Sequence, residues 1–265
     1  MHPVLFELGS LPIRSYGVAM ALAFLVGILV ARGRARRAGL NAELIVDLTF
    51  FVIIFSVLGA RGAYVLGRWD WFSTHASHIP RIWDGGLVLY GGLVTGTITG
   101  LVFFRSRGVD PWLGADIVTP PLALGVAIGR IGCFLNGCCF GGPCDLPWAV
   151  TFPSGSYADR ALGGVAVHPT QLYASLAAFG FFLILLMVDR KKPFNGFLLW
   201  LFVIMLAVYR FLVDPIRHYE SVSYLARAGG LALTKNQVAG IALVAISLVF
   251  MVYLSRRRSV PRTGS

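Results

Sequence analysis

A chain of 265 residues that is 57% hydrophobic and only 13% charged has about half the charged fraction of a soluble domain. Its mean hydropathy of +0.74 and its long apolar runs specify an all-α, polytopic membrane protein. The formal net charge of +11 lies mostly in short loops, where it sets topology and meets anionic headgroups. No aromatic-and-basic surface for nucleic acid is readable.

Seven spans follow a short lead. The first, 16–30, has no small-residue cleavage site after it and reads as a retained span rather than a removed signal peptide. A basic loop follows, with Arg32, Arg34, Arg36 and Arg37. The second span, 44–66, contains Arg61 and Tyr64; residues 68–84 form an interfacial loop with tryptophan and histidine. The third, 87–104, is led in by Gly85-Gly86 and opens with Tyr90-Gly91-Gly92. The fourth, 113–135, ends in Gly129-Arg130-Ile131-Gly132-Cys133-Phe134-Leu135-Asn136-Gly137-Cys138-Cys139-Phe140-Gly141. Residues 141–168 are the longest non-apolar stretch and read as a small lobe outside the membrane. The fifth span is 171–188 and the sixth 197–213, with Arg210 near its end. A polar connection, 214–236, leads to the seventh, 238–254. No internal repeat is readable, and the chain reads as one transmembrane domain, 1–265.

Basic residues crowd the ends of spans one, three, five and seven: Arg32 to Arg37, Arg105 and Arg107, Arg190 to Lys192, and Arg256 to Arg258. The positive-inside rule makes those ends cytoplasmic, with the N-terminus outside and the C-terminus inside. Arg130, Arg210, Tyr90 and the lobe then lie toward the outer half of the bilayer, with Arg61 mid-to-outer. Isolated guanidiniums facing lipid are costly, so these three are expected to face the bundle interior at similar depth. The spans hold too few acids to neutralise them. An external anion is the expected partner, and bidentate arginine suits phosphate oxygens.

Plainer readings stand beside this one. Arg130 has Asp116 or Asp145 as possible partners, Arg210 has Asp214 one turn on, and Arg61 has a carbonyl or Tyr64. Gly91-Gly92 serve helix packing equally well. Cys133, Cys138, Cys139 and Cys144 lack paired C-x-x-C spacing and a nearby histidine, which argues against a metal site. A disulfide between Cys138 or Cys139 and Cys144 fits the oxidising side. His168-Pro169-Thr170-Gln171 reads as a helix start capped by Thr170, with His168 and Gln171 as polar groups at the membrane surface.

Taken together, Ser15-Tyr16-Gly17, Arg61-Gly62-Ala63-Tyr64, Trp83-Asp84-Gly85-Gly86, Gly91-Gly92, the Arg130 motif with Asn136-Gly137, the stretch from His168 to Tyr173, Tyr209-Arg210-Phe211, Asp214 and Arg217 resemble the prolipoprotein diacylglyceryl transferase family over nearly the whole chain. The resemblance implies a multi-pass enzyme of the bacterial inner membrane with no metal or nucleotide cofactor. Such an enzyme moves the diacylglyceryl group of phosphatidylglycerol onto the lipobox cysteine of a prolipoprotein signal peptide. It implies catalytic roles for Arg130, Arg210 and Tyr90, and substrate contacts from Tyr16, Arg61, Tyr64, Asn136, Gly141, Gly91, Gly92, His168, Gln171 and Asp214. The chain departs from the familiar pattern at Tyr90, where many members have histidine. It departs again at Cys133, Cys138 and Asp214, where asparagine, glutamate and glutamate are familiar. A phospholipid-binding paralogue with altered chemistry and an anion transporter are the competing readings.

Overall fold

The structure, a computed structural model, describes residues 4–8, 11–219, 224–228 and 231–257. Arg258, the end of the expected basic tail, and parts of the 214–236 connection lie outside them. The order is hairpin β1 (Val4–Leu8) and β2 (Leu11–Arg14), α1 (Ser15–Arg37), α2 (Glu43–Leu66), a single turn α3 (Trp69–Phe72), and 3-10 turns at Ala76–His78 and Ile82–Asp84. Then come α4 (Leu89–Ser106), α5 (Pro111–Asn136), a short α6 (Tyr157–Leu162), α7 (Thr170–Asp189), α8 (Phe197–Val213) with a 3-10 extension, hairpin β3 (Tyr224–Ala228) and β4 (Leu231–Thr234), and α9 (Lys235–Arg257).

The protein is a largely helical, multi-pass membrane protein. Among the described residues, six helices are long and apolar enough to cross a bilayer: α1, α2, α5, α7, α8 with its extension, and α9. The remaining expected span, α4, is 18 residues long, but Gly91, Gly92, Gly96, Gly100 and three threonines dilute its hydropathy. The expected loop at 31–37 is instead the last turns of α1, because arginine is a good helix former. Arg34 is buried there, its Nε on the Ile117 carbonyl at 2.9 Å and its Nη2 on the Asp116 carbonyl at 2.9 Å.

Two hairpins also appear where the sequence suggested only a lead and a polar connection. They are alike: strands of five and four residues run straight into a 23-residue helix in both cases. Both are antiparallel, and both shift register after the first pair, Val4↔Arg14 in one and Tyr224↔Thr234 in the other.

The chain divides into two compact units, Ile28–Ile117 and the remainder. In the smaller unit α4 lies against α2 at glycine contacts. A Cβ on Gly91 would sit 2.5 Å from both the Ala63 Cβ and the Gly59 carbonyl oxygen, and one on Gly92 would sit 3.0 Å from the Ser56 carbonyl oxygen. Small residues let two membrane helices approach this closely. In the larger unit Ala123, Leu185, Leu198 and Phe202 form a buried core between α5, α7 and α8. A second core of Phe140, Phe152, Ala158 and Val167 holds the 141–168 lobe together.

Candidate active site

The site is built on how α5 ends. Asn136 closes the helix and Gly137 follows with φ 71°, the left-handed turn that glycine takes without a Cβ penalty. The Gly137 N–H donates to the Phe134 carbonyl at 3.1 Å and the Cys138 N–H to the Cys133 carbonyl at 3.1 Å. This pair is a Schellman cap, which brings the side chains at its two ends together. Those side chains are the thiols of Cys133 and Cys138. Cys139, a non-glycine residue at φ 64°, turns the third sulfur back, and the three lie within 4.8 Å of one another. All four cysteines are free. The expected disulfide to Cys144 is absent because Cys138 and Cys139 face Cys133 instead. Hydrogen bonds from the Cys133 and Cys138 thiols, with Arg217 and Arg130 nearby, hold the Cys139 thiol well below its usual range.

The start of α7 fixes this turn. Thr170 Oγ1 donates to the Cys139 carbonyl and Gln171 Nε2 to the Cys138 carbonyl, each at 2.8 Å. Thr170 therefore turns away from its own helix start, where its position suggested a cap; among the described residues no side-chain cap hydrogen bond forms at the α7 N-cap, Pro169. Gln171 is fully buried, and its Oε1 has no partner. Beyond the turn the chain pairs with the lobe and the stretch after α8. Gly141 N–H donates to the His168 carbonyl at 2.9 Å and Gly142 N–H to the Ile216 carbonyl at 2.9 Å. A Cβ at Gly141 would lie 2.6 Å from the His168 Cβ and 2.7 Å from the Ile216 oxygen. Phe140 stacks on His218 at 5.5 Å between centroids.

Three arginines share this frame. Arg130, half-buried in the last turns of α5, has neither hydrogen bond nor ion pair among the described residues, so Asp145 does not neutralise it. Arg210 does not pair directly with Asp214. Its Nη2 donates to Tyr219 Oη at 2.6 Å, and Tyr219 Oη donates to Asp214 Oδ1 at 2.8 Å. Asp214 is buried and also receives Thr234 Oγ1 at 2.6 Å and Asn236 Nδ2 at 3.1 Å. Burial and the bond to Asp214 push the Tyr219 phenol up from its ordinary value. Arg217 has a buried Nε without a partner, and so does the hydroxyl of Tyr209. Arg130, Arg217 and Arg210 all lie within electrostatic reach of that one hydroxyl. The larger unit thus gathers three guanidiniums and several orphaned polar atoms with no carboxylate bonded to the arginines among the described residues. Such a cluster is chemically suited to an anion.

Of the sequence-expected residues, Tyr16 lies within reach of Arg130 and the three cysteines, and Asn136 is within hydrogen-bonding reach of the Cys138 thiol. His168 forms the lobe's junction with α7, its Nδ1 at 3.5 Å from Tyr173 Oη, which also accepts from Trp148 Nε1 at 2.7 Å. Tyr209, Arg217 and Tyr219 are functional candidates that sequence alone did not assign to the site, although Tyr209 and Arg217 stand in the motifs that carry the family resemblance.

In the smaller unit, Arg61 is buried and donates to the carbonyls of His78, Ile79, Gly85 and Gly86 at 2.6, 2.8, 2.7 and 3.2 Å. It also lies against the rings of Tyr64 and Phe72. Its donors hold the 78–86 loop, which is the carbonyl reading. Gly91 and Gly92 are occupied by helix packing, and Tyr90 beside them is 73% exposed.

The family model for prolipoprotein diacylglyceryl transferase matches residues 3–253. The chain belongs to the prolipoprotein diacylglyceryl transferase family. A phosphatidylglycerol–prolipoprotein diacylglyceryl transferase of Geobacillus kaustophilus is 36% identical over 251 residues, 94% of this chain and 91% of its own. One from Bacillus velezensis is 31% identical over 255 residues, 96% and 92% of the two chains. One from Thermosynechococcus vestitus is 34% identical over 213 residues, 80% of each. Membership makes the chain an enzyme of lipoprotein modification, and the Arg130 motif falls inside the matched span.

Proposed function

We propose that this chain transfers the diacylglyceryl group of phosphatidylglycerol to the lipobox cysteine thiol of a prolipoprotein signal peptide. Sulfur forms a bond to the glyceryl carbon, the carbon–oxygen bond to phosphate breaks, and glycerol phosphate leaves with the proton the thiol gives up. The observation that carries this reading is the group of Arg130, Arg210 and Arg217, none of them bonded to a carboxylate among the described residues, around the unpaired Tyr209 hydroxyl. Guanidiniums held in place around a phosphate stabilise charge as the leaving group departs, and preorganised stabilisation of this kind usually contributes more to catalysis than any other effect.

Arg130 and Arg210 take the phosphate; Tyr16, Asn136 and His168 contact the headgroup or the presented peptide, and the buried Gln171 acts by pinning the Cys138 carbonyl. Asp214 orients Arg210 through Tyr219, and Gly141 lets the lobe close over the motif. Tyr90, with its open hydroxyl, takes the proton-relay role that the family resemblance assigns to its position; Tyr90→Phe tests it. Arg61, Tyr64, Gly91 and Gly92 act by ordering the smaller unit. The enzyme crosses the bacterial cytoplasmic membrane seven times with its N-terminus and the 141–168 lobe outside. Both hairpins lead directly into helices, α1 and α9, that run the same way in this scheme.

The test is Arg130→Ala in a micellar assay of labelled phosphatidylglycerol with a lipobox peptide. Transfer should fall by about 10²-fold or more, as when one preorganised donor is removed. Undiminished transfer at normal expression overturns the assignment. Lipid binding without thioether product from the wild type would make the chain a binding paralogue, and anion flux in liposomes a transporter.

A further inference from the structure

The transfer reaction makes no use of the three sulfurs at the end of α5. Spacing argued against a metal there, yet the Schellman cap makes Cys133 and Cys138 its two contacting ends, and Cys139 adds the third. Their sulfurs lie within 4.8 Å of one another. Three sulfurs bound at about 2.3 Å to one ion stand roughly 3.8 Å apart in a tetrahedral or trigonal set, so contraction by about an ångström forms the site. The backbone is already committed to that shape. Cys139 is held in the left-handed region, a conformation of the kind that persists where the surroundings over-determine it. Its carbonyl and that of Cys138 are pinned by Thr170 and Gln171. The three side chains are half-buried, which leaves an ion a way in. Arg130 and Arg217 lie close enough to act on Cys139 and offset the excess negative charge of three thiolates around one cation. Cys144 stands outside the group.

We infer that Cys133, Cys138 and Cys139 form a binding site for a single thiophilic d10 cation, Cu(I) or Zn²⁺. Soft thiolates select these ions, and three sulfurs with an open fourth position accept either. The inference does not rest on the transfer reading. An ion bound here ties the end of α5, the helix that carries Arg130, to the turn at Gly137.

The experiment uses the full-length protein purified in detergent under reducing, metal-free conditions. Cu(I) and Zn²⁺ are titrated separately against a chromophoric competitor. The expected result is one equivalent per chain of at least one ion, unchanged in Cys144→Ser and weakened at least tenfold in Cys133→Ser, Cys138→Ser and Cys139→Ser. Loss in Cys144→Ser with retention in the other three, or no uptake of either ion, overturns the inference. If the serine variants do not fold, the wild type alone decides. Preloading with the ion should shield three of the four thiols from alkylation, counted by mass spectrometry. Alkylation of all four at the same rate with and without metal overturns the inference.

Discussion

Replacing Tyr219 by phenylalanine tests whether Asp214 acts on Arg210 at a distance. The Tyr219 oxygen accepts from Arg210 Nη2 at 2.6 Å and from Asn236 Nδ2 at 3.2 Å, and it donates to Asp214 Oδ1 at 2.8 Å. Two of those three bonds have an ionic partner, and hydrogen bonds to charged groups contribute about 1.5–3 kcal/mol each. Asp214 keeps Thr234 and Asn236, so its carboxylate is not stranded. Arg210 loses its one hydrogen bond among the described residues. It is only half-buried, and water replaces part of what is lost. The net cost should be roughly 2 kcal/mol of stability. Arg210 keeps its charge but loses its aim, so the variant should show a several-fold higher KM for phosphatidylglycerol with kcat changed less. Thermal unfolding in detergent and the lipid-to-peptide transfer assay read the two effects. A variant within about 0.5 kcal/mol of wild type and with unchanged KM would mean the relay positions nothing.

Four further substitutions separate packing from chemistry. Gly141→Ala puts a methyl group 2.6 to 2.9 Å from His168 and Ile216 atoms that are mostly backbone, an overpacking worth about 1–3 kcal/mol; transfer should drop. Gly142→Ala, whose Cβ would meet nothing closer than the Ile216 oxygen at 3.9 Å, should be tolerated in the same assay. Arg61→Lys keeps the charge but cannot reproduce a fork that reaches four carbonyls. It should cost on the order of 3 kcal/mol, and an unshifted unfolding midpoint would refute the clamp. Gln171→Leu strands the Cys138 carbonyl and should cost about 1–3 kcal/mol. Hydrogen exchange at residues 137–141 should rise with it; protection equal to wild type would show that the α7 clamp is dispensable.

Helix positions were legible because run length and apolarity are local properties of the chain. What escaped was whatever depended on how a segment ends or on distant partners. The hairpins were signalled by Gly9-Ser10 and Gly229-Gly230 between short apolar runs, a two-residue turn pattern that is easily hidden beside long membrane spans. The Arg34 region read as a loop because charge density marks the cytoplasmic face, and only the structure supplies the Asp116 and Ile117 carbonyls that let Arg34 be buried. The thiol cluster needed the cap at Gly137: five residues apart in sequence, Cys133 and Cys138 meet only when glycine reverses the chain. Arg210 and Asp214 have ideal spacing for a direct pair, but Tyr219, after α8 has ended, stands between them. Arg130 was the clearest signal of all, since a lone guanidinium in an apolar run has no cheap local explanation.

That signal also carries the main energetic argument. In the larger unit no described acid bonds to these arginines: Asp159 receives the Gly155 N–H, Asp189 pairs with Lys192, Asp214, within electrostatic reach of Arg210, is bound by Tyr219, Thr234 and Asn236, and Glu7 and Asp145 are exposed. Arg130, Arg210 and Arg217 repel one another across a region screened less than open solvent. A like-charged cluster raises the free energy of the empty site, and an anion lowers it by relieving several pair interactions at once. The gain is greatest for the form that bears most charge on its oxygens. In a displacement at the glyceryl carbon that form is the departing phosphate, whose bridging oxygen acquires charge as the bond breaks. On the proposed assignment, the same arrangement would bind the lipid headgroup modestly and its transition state more tightly, which is the condition for raising kcat rather than only lowering KM.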